Sequence, residues 1–310
     1  MKQVGWLNNI VGLMIVVALS GCLAEAVPGD DDGGQQARLA ALANRTELPI
    51  VLLHGAAGFA QIGPLEYYFG VKGRLRSDGH QVFVTEVDPF QRIEVRAAQL
   101  ETQLSAILAS TGAPRLHLIG HSQGGLDARY LISNLGFGDR VATLTTISTP
   151  HRGSRVADVA LGILPGPAES TLAFLLNLIA GGGQDPLGQA YQLTEAYALS
   201  EFEPNNPDDP RVSYYSVAGV TRAATLHIFT EDVCDPLLWA GYAVLAPTGA
   251  NDGLVTVASA RHGTFLGTVP ADHFDEVGQL LGTTALGFNH RTFYSKLARY
   301  LTSSTAPAPL

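Results

Sequence analysis

The sequence predicts an α/β fold with a mostly parallel central sheet and helices on both faces. Three observations predict it. Short, continuous apolar runs at 49–53 and 141–147 have the character of strands buried on both faces. Apolar residues elsewhere recur at helical spacing, most clearly Ile93, Val95, Leu100, Leu104, Ile107 and Leu108. Residues 115–135, RLHLIGHSQGGLDARYLISNL, read as strand, tight turn and helix in immediate succession.

The elements follow in order. Residues 37–44 form a short helical approach, and the strand at 49–53 runs into His54-Gly55-Ala56-Ala57-Gly58. A helix is expected over 65–77, closed by Asp78-Gly79, then a strand over 81–87 and a crossover helix over 91–110 capped by Gly112. The strand at 141–147 leads into Ser148-Thr149-Pro150-His151-Arg152-Gly153-Ser154. The alternation then breaks for an insertion at about 155–210. Its segment 170–180, STLAFLLNLIA, is apolar nearly all round and must be covered, either as a core helix or as a lid hinged at the flanking glycines. Strands at 211–217 and 264–269, a turn at 249–253, an extended piece at 254–257 and a loop at 270–273 complete the sheet region. A last helix runs from 289 or 290 to 300, with Phe293, Leu297, Tyr300 and Leu301 on one face, before a disordered tail at 304–310.

A formal charge of -9, with no Lys/Arg cluster, excludes nucleic acid as a partner. The N-terminus reads as a targeting segment rather than as part of the fold. Lys2 precedes an apolar stretch at 10–19, too short for a comfortable membrane span, and Leu19-Ser20-Gly21-Cys22 follows. That tetrapeptide resembles a bacterial lipobox, which implies a signal peptide at 1–21, a lipidated Cys22 and an acidic tether at 22–44. By the same resemblance, Leu23 after the cysteine implies the outer membrane, and a plain secreted form is the alternative. Only Cys22 and Cys234 exist, so lipidation leaves no structural disulfide, whereas a Cys22–Cys234 bridge is the competing possibility.

The chemistry centres on Gly120-His121-Ser122-Gln123-Gly124. G-x-S-x-G between a strand and a helix is the nucleophile elbow of α/β-hydrolases, with Ser122 at the strained corner and glycines where a Cβ would collide. A serine nucleophile needs a base, an orienting carboxylate and oxyanion donors. The order Ser, Asp, His leaves His262, His273 and His290 as bases. His273, in a loop after a strand, is the expected one, with Asp252 of the Asn-Asp-Gly turn as its acid and Asp232 as runner-up. The backbone N–H groups of Ala56 and Gln123 are the expected oxyanion donors, with His54 as a residue that locks the loop.

The segments PIVLLHGAAGF, VFVTEVDPFQRIEVRAAQL, LHLIGHSQGGLDARYL, STPHRGS, VSYYSVAGV, NDGLV and DHFDEVGQLLG occur in that order over about 49–300. In these the chain resembles the bacterial triacylglycerol lipases of the Pseudomonas and Burkholderia type. The resemblance implies an α/β-hydrolase domain over 45–303 that cleaves acylglycerol esters as a monomer, without an organic cofactor, and makes Ser122, Asp252 and His273 the triad. It also implies one structural calcium ion held by Asp235, Asp275 and the carbonyls of Gln279 and Thr283. A dedicated foldase serves many members of that family. Alternatives on the same triad are a short-chain carboxylesterase, a polyester depolymerase or an acyltransferase, and outside catalysis a lipoprotein that binds hydrophobic ligands.

Overall fold

A computed structural model describes residues 48–166, 184–221, 236–279, 281–303 and 306–310. The expected signal peptide and tether, both cysteines, the segment 170–180, Asp232 and Asp235 all lie outside these residues. Among the described residues no helix is long and apolar enough to cross a membrane.

Six strands form one parallel sheet: β1 (Ile50–Leu53), β4 (Val82–Val84), β5 (Leu116–His121), β6 (Val141–Ile147), β7 (Ser213–Gly219) and β8 (Thr264–Val269). Their order across the sheet is β4-β1-β5-β6-β7-β8, so the winding reverses between β1 and β5. In a sheet wound this way, the crevice beyond the carboxyl ends of the strands at the reversal is where a ligand site forms.

The apolar runs have a direct cause. Ile50 and Leu52 point into one core layer while Val51 and Leu53 point into the other, so both faces of β1 must be greasy. The first layer is filled from α1 (Val71–Ser77) and the C-terminal helix α8 (His290–Thr302) by Val71, Leu75, Phe293, Tyr294 and Leu297. The second is filled from α2 (Ile93–Thr111) and α3 (Gln123–Asn134) by Leu100, Leu104, Ala128 and Leu131. Gly112, at φ 67, ends α2, and Asn289 accepts the Thr292 N–H to start α8.

Four local expectations are corrected. The helix expected over 65–77 begins only at Val71. Leu65–Glu66 (β3) pairs antiparallel with Gln61–Ile62 (β2), and Gly70, at φ 67, holds a left-handed corner before the helix. That hairpin turns Tyr67 and Tyr68 inward, where both are buried. The strand expected over 81–87 is three residues long, because the Glu86 and Asp88 N–H groups leave the sheet for the Gln103 and Gln99 side chains on α2. Val95, read as part of the apolar face of that helix, is 40% exposed; Arg96 takes the buried place beside Ile93 and Ala97. The piece at 254–257 makes a single bridge, Asn251 with Thr256, and passes into the short helix α7 (Val257–Ala260).

Candidate active site

Ser122 sits between β5 and α3 with φ 55 and ψ -130, a conformation that ordinary L residues rarely adopt. The neighbouring glycines make the corner possible. A Cβ on Gly120 would lie 2.7 Å from the Gly125 nitrogen, and one on Gly124 would lie 2.6 Å from the Leu53 carbonyl oxygen. Strand and helix therefore pass at backbone contact, as the motif requires. The Ser122 N–H donates to Ile147 O at 2.9 Å, and its own carbonyl accepts from Thr149 Oγ1 at 2.7 Å.

The structure brings His273 and Asp252 together. Nδ1 of His273 donates to Asp252 Oδ2 at 2.7 Å, and the His273 backbone N–H bonds the Asp252 carbonyl at 3.0 Å. Asp252 is fully buried, and its other oxygen accepts the N–H groups of Leu254 and Val255 at 2.8 and 2.6 Å. Three hydrogen bonds thus fix the carboxylate and a fourth its backbone carbonyl, and together they set the tautomer and plane of the imidazole. The His273 ring stands 4.5 Å from that of His121, the residue before Ser122. The other two histidines have separate partners: His262 bonds Asp208 and His290 bonds the Phe69 carbonyl. A serine on a strained corner, following a histidine whose ring stands 4.5 Å from an imidazole held from behind by a carboxylate, supplies the groups that nucleophilic acyl transfer requires.

The loop after β1 lies against this corner. A Cβ on Gly55 would be 2.6 Å from Ser122 Cβ, which puts the backbone leading to Ala56 directly beside Ser122. Gln123 follows Ser122 at the start of α3, fully buried, with its side chain held by Gln189 and by the Gln91 carbonyl. His54 locks the loop, its ring bonding Gly55 O and accepting the Val87 N–H. Burial and the Arg96 charge lower its pKa to about 3, so it stays neutral.

Arg96 was not legible as a site residue. Fully buried on α2, it donates to the carbonyls of His54, Gly55 and Asp88 and to Asp127 Oδ2 at 2.8 Å, so one guanidinium pins the whole loop. A lone charge on an apolar helix face was the only available signal. Burial raises Asp127 to about 6, with the Arg96 charge opposing it. A second group that no motif pointed to is Tyr67, His121 and Glu276, buried together and joined by hydrogen bonds. Burial, then the His273 charge, lowers His121 well below the usual imidazole range, and burial, then Asp252, raises Glu276.

Of the expected calcium ligands, Asp275, Gln279 and Thr283 are described. Asp275 is buried, with Oδ2 on the Ala285 N–H at 2.8 Å. Asp272 is buried close by, its Oδ1 accepting the Phe274 and Asp275 N–H groups at 2.9 Å, so this loop holds carboxylate oxygens of the kind a hard divalent cation prefers. A separate group, His151, Glu203 and His262, has metal-ligand spacing, but the Arg129 guanidinium already stands there, 2.6 Å from Glu203 and 3.3 Å from His151.

Comparison with known proteins agrees with this geometry. A triacylglycerol lipase of Vibrio cholerae is 36% identical over 270 residues, covering 78% of this chain and 83% of the relative. The chain belongs to the triacylglycerol lipase family. Another member, from Burkholderia plantarii, is 30% identical over 293 residues, covering 76% of this chain and 80% of its own length. The palmitoyl protein thioesterase family model matches residues 49–180. In fold the chain resembles the mature lipase of Bacillus licheniformis, with TM-score 0.63 and 20% identity over 90% of this chain and 96% of that one. That structure shares the α/β-hydrolase sheet described above.

The Arg96 and Asp127 pair yields a double test. Arg96→Met alone leaves a buried, unpaired carboxylate and should cost about 3–5 kcal/mol in urea unfolding. Arg96→Met with Asp127→Leu should recover most of that stability. Ester hydrolysis should stay low in both variants, because the loop carbonyls still lack their donor.

Proposed function

We propose that this lipase-family chain cleaves carboxylic ester bonds of acylglycerols through an acyl-enzyme on Ser122. The observation that carries the reading is the Asp252–His273 pair, with the His273 ring 4.5 Å from that of His121, the residue before the strained Ser122. In this mechanism the imidazole takes the Ser122 proton as Oγ attacks the ester carbonyl. The N–H groups of Ala56 and Gln123 receive the developing oxyanion, and Asp252 stabilises the imidazolium. The proton then passes to the leaving alcohol, and water repeats the cycle to release the fatty acid.

The acylglycerol substrate rests on the relatives' names and on apolar exposure. Ile163, Leu187 and Leu199, from the insertion after β6, are exposed, as is Trp239 on α6 (Pro236–Leu245). Greasy side chains left in water suit work at a lipid surface. Anchoring there through a lipidated Cys22 is supported by the Leu19-Ser20-Gly21-Cys22 sequence.

Calcium is the second part of the proposal. Asp275, with Asp235 and the carbonyls of Gln279 and Thr283, would hold the ion, whose charge would tie the His273 loop to the preceding segment. The protein's own residues perform every chemical step.

The deciding experiment follows hydrolysis of emulsified triolein and of soluble p-nitrophenyl butyrate by the wild type and by Ser122→Ala. Triolein turnover that rises steeply above the substrate's solubility limit, and falls by several orders of magnitude without the serine, is expected. Turnover confined to the butyrate would make the protein a short-chain carboxylesterase. For calcium, a chelator should lower the melting temperature of the wild type and added calcium should restore it; an unchanged melting temperature removes the ion.

A further inference from the structure

A buried chain of hydrogen bonds crosses the loops at the carboxyl ends of the strands. The Gly55 N–H, just after β1, donates to the Tyr67 hydroxyl at 3.1 Å, and that hydroxyl lies 2.7 Å from His121 Nδ1 at the end of β5. His121 Nε2 lies 3.0 Å from Glu276 Oε2, three residues beyond His273. Glu276 Oε1 accepts the Ser148 hydroxyl at 2.5 Å, just after β6, and Ser148 Oγ accepts the Gly219 N–H at 3.0 Å, at the end of β7. None of the four side chains is more than 2% exposed.

The partners dictate the protons. Because Gly55 fills the phenol oxygen as a donor, the phenol proton goes to His121 Nδ1. His121 therefore carries its proton on Nε2 and gives it to Glu276, which takes a second from Ser148. The Tyr67, His121 and Ser148 protons then serve the three links in turn, and every donor is used once. Ser148 holds φ 44, an unfavourable conformation for a non-glycine residue that its two side-chain bonds help to maintain.

We propose that Tyr67 is a positioning residue which, through this chain, sets the oxyanion loop against the nucleophile corner, with Glu276 as the anchor that joins its two halves. The proposal rests on Ser122 being the nucleophile. Gly55 presses on Ser122 and precedes Ala56, so slack at Gly55 displaces an oxyanion donor relative to the attacking oxygen. No substrate contact by Tyr67 is involved. Its hydroxyl acts through backbone placement.

The test is Tyr67→Phe in the full chain, which keeps the ring and deletes the hydroxyl, with Ser148→Ala at the far end and the double variant. On soluble p-nitrophenyl butyrate, kcat should fall roughly ten- to a hundredfold in Tyr67→Phe, with KM within about twofold. Ser148→Ala should lower kcat less. The double variant should lose less than the product of the single losses, because both cut the same chain. An unchanged kcat in Tyr67→Phe, a loss carried by KM, or losses that multiply would overturn the proposal. If Tyr67→Phe does not fold, the kcat and KM of Ser148→Ala decide by the same criterion. Ser122→Ala runs alongside: activity persisting there strikes the serine reading itself, whereas full activity in Tyr67→Phe beside an inactive Ser122→Ala strikes only the positioning role.

Discussion

Everything at the site depends on the backbone corner at Ser122. A non-glycine residue held at φ 55 and ψ -130 costs on the order of 1–3 kcal/mol and persists only where its surroundings leave no alternative. Here they leave none. β5 is paired in parallel on both sides, with β1 and β6, so the strand cannot shift. α3 starts at backbone contact with β1, because Gly124 admits no side chain there. The reversal of sheet order between β1 and β5 brings the loop carrying Ala56 to the same place.

A second constraint follows from crowding so many loops into one buried crevice. Their carbonyls and N–H groups leave water and must find partners inside the protein. Arg96 supplies three of those hydrogen bonds from a single helix position, itself held by Asp127. The tyrosine, histidine, glutamate and serine chain supplies others, and Asp252 uses both oxygens on its own turn and on His273. The polar groups around the serine thus stiffen the scaffold, and stiffness is what lets N–H groups await a developing charge without reorganising.

The legible parts of the sequence were those governed by local rules. Buried parallel strands need apolar residues on both faces, so β1 and β6 could be read from single segments. The elbow needs glycine at 120 and 124, and Asp252 sits in an Asn-Asp-Gly turn whose chemistry is short-range. What stayed hidden depends on distant partners. Nothing near Tyr67 announces that a hairpin at 61–66 turns it toward His121, 54 residues away. Arg96 breaks the apolar pattern of its helix, yet only the carbonyls of 54, 55 and 88 explain why a charge is tolerated there. Glu276 beside Asp275 looks like surface charge until the sheet places Ser148 and His121 against it.

The most direct measurement is to inactivate the wild type with a fluorophosphonate ester and locate the adduct by peptide mass spectrometry. If the strained corner, the paired imidazole and the donors act together, one phosphonyl group will be found on Ser122, and activity will be lost in step with its appearance. Inactivation with the adduct on another residue, or an intact Ser122 in fully inactivated protein, would contradict that.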